Sequence, residues 1–213
     1  MKILTTIGIL VFTANILPAC PAGRGTGNGC SGGSRLASTA PLTLDAAAKA
    51  ALSFQIEEER MAGELYRAFG EKQVAPPFQN IPRAEARHQE LLVSLANRAG
   101  LGATGPAQAG HYETPAMQTR YDTLLARGRI SLIEALKVGA LVEEQDIADL
   151  RALTATTNDS ELKAAATMLE EGSRHHLGAF VRNLRAQGVE YVAQVLTPAE
   201  LAALTTSTRR DRG

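Results

Sequence analysis

Tryptophan is absent from this 213-residue chain, and aromatic residues make up only 4% of it. No stretch sustains the period-two alternation of a half-buried strand, so a β-sandwich or barrel is excluded. An excess of charge is missing too. Lys+Arg and Asp+Glu are equal at 22 each, which leaves no electrostatic footprint for nucleic acid and no bulk attraction for an acidic partner. Cysteine occurs only at Cys20 and Cys30, and a disulfide there would staple no core. What the chain has in quantity is Ala and Leu from Ala46 onward. With 45% apolar and 21% charged residues, that composition predicts one mainly helical globular domain.

Residues 1–20 read as an export signal: Lys2 starts it, Ile3 to Leu17 is largely apolar, and Ala19 is the small residue before Cys20. Asn15 interrupts the apolar run, which is too short for a membrane span. Leu17-Pro18-Ala19-Cys20 resembles a bacterial lipobox, in which Cys20 becomes the lipid-bearing first residue of the mature chain. Simple secretion and a Cys20–Cys30 disulfide are the alternatives. The expected location is therefore the periplasm or outer surface, with membrane association through Cys20. Residues 21–43, rich in Gly, Ser and Thr, read as a flexible tether.

From Thr43 the apolar spacing becomes three and four, and four long helices follow. They are expected over about 44–72, from Pro82 to Gly100, from Ser131 to about Thr156, and from Asn158 or Asp159 to Gly188. Pro76-Pro77 ends the first, and Ser131 with Glu134 forms a capping box for the third. The long connection 101–130 carries a short helix from Thr114-Pro115 to Arg127, and Thr197-Pro198-Ala199-Glu200 opens a last one in the extension 188–213. Two hairpins joined by one long crossover give an all-α domain over 44–187 with the topology of a ferritin-like bundle rather than a simple up-down one.

On a helical wheel, acids and imidazoles fall where apolar side chains are expected. In the second long helix Glu85 and His88 share a face with Leu91, Leu92 and Leu95, while Arg83, Arg87 and Glu90 point away. In the third, Glu143 and Asp146 lie within the apolar arc and Glu144 at its edge; in the fourth, His176 faces inward and His175 outward. In the first, the arc includes Phe54, and both Glu58 and Glu59 flank its midline, so the wheel does not choose between them. Burying such groups costs several kcal/mol unless they are compensated, and no Lys or Arg lies near the centre of any inner face. If Glu59, Glu85, Glu143 and Asp146 are ionised, two divalent cations match their charge.

The same segments resemble ferritin-like proteins of the rubrerythrin kind, and still more a bacterial family of ferritin-like domains. The resemblance spans about Leu44 to Gln187. Glu59-Arg60-Met61-Ala62 through Tyr66 is similar to the family's E-x-x-A-x-x-x-Y phrase, which puts the ligand at Glu59. Glu85-Ala86-Arg87-His88 resembles its E-x-x-H pair, Glu143 and Asp146 fall at acidic ligand positions, and His176 at the last imidazole. Ser173 departs from the pattern, standing where a second E-x-x-H would have its glutamate, and Asp146 is the residue that could take up the missing role.

The resemblance implies two iron ions, with manganese as the alternative, since oxygen-rich sites with imidazoles suit both metals. His88 and His176 would bind terminally, at least one of Glu59, Glu85 and Glu143 would bridge, and Tyr66 would serve as an outer donor or electron source. The implied activity is that of a ferroxidase or peroxidase using O₂ or peroxide. A module that sequesters metal at the cell envelope without turnover is the second reading, and a metal-free helical interaction protein the third. Homodimeric assembly stays open. His111, in the crossover, is expected at the surface, and His175, which projects outward, either at the surface or in support of a ligand. No rubredoxin-like cysteine pair is present to relay electrons.

Overall fold

The structure, a computed structural model, describes residues 39–102 and 108–207. The export signal, Cys20, Cys30 and the tether up to residue 38 lie outside the described residues. Among the described residues the protein is all-helical, with seven helices and no strand. They are α1 (Ala46–Gly70), α2 (Pro76–Asn80), α3 (Pro82–Arg98), α4 (Pro115–Gly128), α5 (Leu132–Thr156), α6 (Ser160–Ala186) and α7 (Pro198–Ser207). None of them is long and apolar enough to cross a membrane.

Local chemistry sets the boundaries. The Asp45 side chain accepts from Ala48 N at 2.7 Å, Ser131 Oγ accepts from Glu134 N at 3.2 Å, and Asp159 Oδ1 accepts from Glu161 N and Leu162 N. Gly100 and Gly188 both have φ of +74°, and the amide after each returns to a carbonyl five residues earlier, which stops α3 and α6. One helix was not foreseen. Pro76 and Pro77 end the reach of α1 but also occupy the first turn of α2, where a missing N–H costs nothing.

Side-chain pairs fix the directions of the four long helices. Leu42 N donates to Arg98 O and Glu59 meets His88, so α1 and α3 run antiparallel. Tyr66 meets Glu143 and Gln55 meets Asp146, so α1 and α5 do too. Asp146 meets Ser173 and Arg151 meets Glu170 across α5 and α6; Glu85 meets His176 and Arg98 meets Glu161 across α3 and α6. Four helices therefore close a ring in the order α1, α3, α6, α5, with α3 and α5 diagonal and parallel. α5 starts at the same end of the ring as α3, and α4 packs against α1 and α5. Two apolar layers, one around Tyr66, Phe69, Phe78 and Phe180 and the other around Leu52, Leu92, Leu150 and Leu169, lie towards the two ends of the ring. Phe54, placed in the apolar arc of α1 by its spacing, is 44% exposed and falls outside the face that neighbouring helices cover.

Candidate metal centre

Between the two apolar layers the four long helices turn acids and imidazoles inward. Glu59, Glu85 and Glu143 are each 2% exposed, and Asp146 is buried beside them. Among the described residues two groups of potential ligands form. In one, Glu59, Glu85 and His88 each offer an atom within 4.8 Å of the others; in the second, Glu85, Glu143 and His176 do the same. Each pairs two carboxylates with one imidazole, and Glu85 belongs to both.

The distances are short. His88 Nδ1 lies 3.3 Å from Glu59 Oε2 and 3.1 Å from Glu85 Oε2. His176 Nδ1 lies 2.8 Å from Glu85 Oε1 and 3.5 Å from Glu143 Oε2. Despite that proximity, Glu85 Oε1 and His176 Nδ1 make no aligned hydrogen bond, and Glu59 Oε1 has none either, although all three atoms are buried. Buried polar atoms are normally paired, and these three gather at one point among carboxylates and imidazoles, where a cation would engage them together.

The electrostatics agree. Burial, reinforced by the charges of Asp146 and Glu85, pushes the Glu59 carboxyl well above its ordinary range. Burial, then Glu58 and Glu143, does the same to Asp146, and burial with Glu85 raises Glu143. Burial also works to raise Glu85, but the His176 and His88 imidazoles beside it outweigh that and hold this carboxyl low. His176 is the converse case, with burial opposing and the Glu143 and Glu85 charges carrying it well above the usual imidazole value. Among the described residues no Lys or Arg pairs with Glu59, Glu85, Glu143 or Asp146. A cation at the centre would supply the charge that the protein does not.

The other expected residues fall around this centre. Tyr66, fully buried, donates its hydroxyl to Glu143 Oε1 at 2.6 Å, and burial with the Glu143 charge pushes its ionisation far up. Asp146 belongs to neither group. Its Oδ2 accepts from Ser173 Oγ at 2.5 Å and its Oδ1 from Gln55 Nε2, so two neutral donors hold it. Glu58 pairs with Arg120 of α4 and belongs to neither group, and burial, tempered by Arg120, pushes its carboxyl up to about 7. The wheel did not separate Glu58 from Glu59; Arg120, 62 residues away in the chain, does.

Gln55 was not anticipated, although it lies one turn before Glu59 on the same inner face. Glu144, expected at the edge of its helix, is fully buried. Its Oε2 accepts from Gln194 N at 2.8 Å and Val195 N at 3.0 Å, so the segment after α6 covers it. His111 is exposed as expected, and His175 is exposed too.

Comparison with known proteins places this architecture in company. A family model described as "Uncharacterized protein domain (DUF2202)" matches residues 48–208. "Uncharacterized protein MJ0754" of Methanocaldococcus jannaschii is 31% identical over 154 residues, which make up 71% of this chain and 82% of that one. The crystal structure of hypothetical protein MJ0754 superposes with a TM-score of 0.76 at 29% identity, covering 79% of this chain and 97% of that chain.

Proposed function

The chain belongs to the DUF2202 family, and on that premise we propose that it is an exported ferritin-like protein holding a dinuclear iron or manganese centre within a four-helix bundle. The ring of antiparallel neighbours, with a parallel diagonal pair joined by a crossover, supports the ferritin-like arrangement. One observation carries the metal: Glu59 Oε1, Glu85 Oε1 and His176 Nδ1 are buried without hydrogen bonds inside a cluster of three carboxylates and two imidazoles. Lone pairs that approach within 2.8 Å without aligning on each other suit a third centre between them.

Glu59 with His88 would hold one ion, Glu143 with His176 the other, and Glu85 would bridge. Both imidazoles present Nδ1 to the carboxylates. Asp146, held by Ser173 and Gln55, adds negative charge beside the pair without entering either group. Three carboxylates in the two groups and Asp146 next to them balance two divalent cations. Iron and manganese fit an oxygen-rich donor set with one imidazole each.

The reaction class is oxidation by O₂ or peroxide, as in a ferroxidase or peroxidase. When bound and reduced, an iron pair supplies two electrons to such an oxidant. The protein's part is to exclude water, through the apolar layers on either side, and to keep a proton on Tyr66 against Glu143. Burial of all three carboxylates also suits a module that sequesters metal without turnover. The test adds ferrous iron anaerobically to the purified metal-free chain, then admits O₂ or peroxide. Two irons per chain and an absorbance change on oxidant are expected. Two irons with no response to either oxidant would leave the sequestering module, and no bound metal would remove both.

A further inference from the structure

We propose that Gly172 is a positioning residue: the side chain missing at 172 is the seat of the His88 imidazole, and it decides whether the half of the centre built on Glu59, Glu85 and His88 holds its ion. The inference rests on the dinuclear reading above. A Cβ built at 172 would stand 2.7 Å from His88 Cε1 and 2.9 Å from His88 Nε2. The three atoms nearest that Cβ all belong to His88.

The imidazole is held from three sides. Its Nδ1 meets Glu59 and Glu85 at 3.3 and 3.1 Å, and its adjoining Cε1–Nε2 edge fills the space that a side chain at Gly172 of α6 would take. Its face lies against the His176 ring, with centroids 5.6 Å apart and planes 26° from parallel. Gly172 sits one turn before His176 on α6, so the empty position and the second imidazole together form the slot that takes the first. A mid-helix glycine is a poorer helix former than alanine, so the sequence accepts a local penalty where the ring needs room.

Replacing Gly172 by alanine forces the movable group to yield. That group is the imidazole, whose side chain is 15% exposed. Swinging it outward withdraws Nδ1 from Glu59 and Glu85. The methyl meets no atom of the Glu85, Glu143 and His176 group directly, and Glu85 turns its other oxygen to His176, so that half keeps its ligand atoms.

The experiment compares iron bound per chain, after anaerobic loading and gel filtration, in the wild type, Gly172→Ala, His88→Ala and the double variant. Two ions are expected in the wild type and one in each of the other three, because removing the seat changes nothing once the imidazole is gone. In the metal-free protein, ¹⁵N-histidine spectra should show the His88 ring resonances shifted by Gly172→Ala more than those of His176, which loses only a stacked neighbour, with melting unchanged or higher. Two ions in Gly172→Ala, unshifted His88 resonances, or a further loss of iron when Gly172→Ala is added to His88→Ala would overturn the positioning role alone. A Gly172→Ala chain that fails to fold would overturn it as well, since moving a partly exposed ring should not cost the fold. Fewer than two ions in the wild type would instead overturn the dinuclear reading beneath it.

Discussion

Glu85 stands at the one position on which both halves of the cluster draw, with Oε2 on the His88 side and Oε1 on the His176 side. Replacing it by glutamine keeps the shape and removes the charge that both halves share. We expect Glu85→Gln to lower bound iron from two ions per chain to below one, measured by elemental analysis after anaerobic loading. Glu58→Gln is the matched control: its carboxylate is equally buried but engaged with Arg120, so two ions should remain. The inward direction of Glu85, His88, Glu143, Asp146 and His176 was legible because each residue turns the helix by a fixed angle. What a wheel leaves open is the partner on the other side. Glu58 and Glu59 flank one midline, and only a guanidinium from a different helix tells them apart. Asp146 was likewise legible as buried, whereas its donors Gln55 and Ser173 come from two other helices.

At the scale of an element, the C-terminal segment belongs to the core more than its short final helix implies. Tyr191, Leu196 and Leu201 join the apolar layer around Phe180, and the buried Glu144 of α5 ties the chain down between them. Glu144 accepts from two backbone amides and lies 3.3 Å from the Tyr191 hydroxyl. Glu144→Ala would leave those donors without an acceptor, and a loss of about 2 kcal/mol in urea unfolding is expected, with faster amide exchange at Gln194 and Val195. The start of α7 was readable in full. Thr197 Oγ1 accepts from Glu200 N and Glu200 Oε2 accepts from Thr197 N, a reciprocal box that the residues Thr-x-x-Glu already announce. The anchoring by Glu144 was not, because a helix's own periodicity shows which side is covered by its main partners and says nothing of a strap laid over the margin. The long helices were legible for the converse reason: their caps and stop signals are local in sequence.

For the molecule as a whole, the buried acids make the metal-free protein sensitive to pH in a direction that bound metal should reverse. Glu58, Glu59, Glu143 and Asp146 all hold their protons more tightly folded than unfolded. As pH rises past their ordinary values the unfolded chain releases protons that the folded one keeps, and stability falls. For Glu58 that window runs from its unfolded value of 4.5 up to about 7 and is worth on the order of 3 kcal/mol. His176 works in the same direction, since a raised imidazole stabilises the fold at low pH and loses that contribution as pH climbs through its folded value. Glu85, held low, contributes stability above its unfolded value and acts only in a more acidic range. Between pH 5 and 7.5 the metal-free protein should therefore melt progressively earlier. Cations change the balance, because they bind the deprotonated carboxylates and the neutral imidazoles and so tighten as pH rises. With ions at 100 times their dissociation constant the folded state gains about 2.7 kcal/mol per site. The difference in melting temperature between iron-loaded and chelator-treated protein should then widen from pH 5 to pH 7.5. A difference that stayed flat over that range would mean that the inward acids are not what the metal engages.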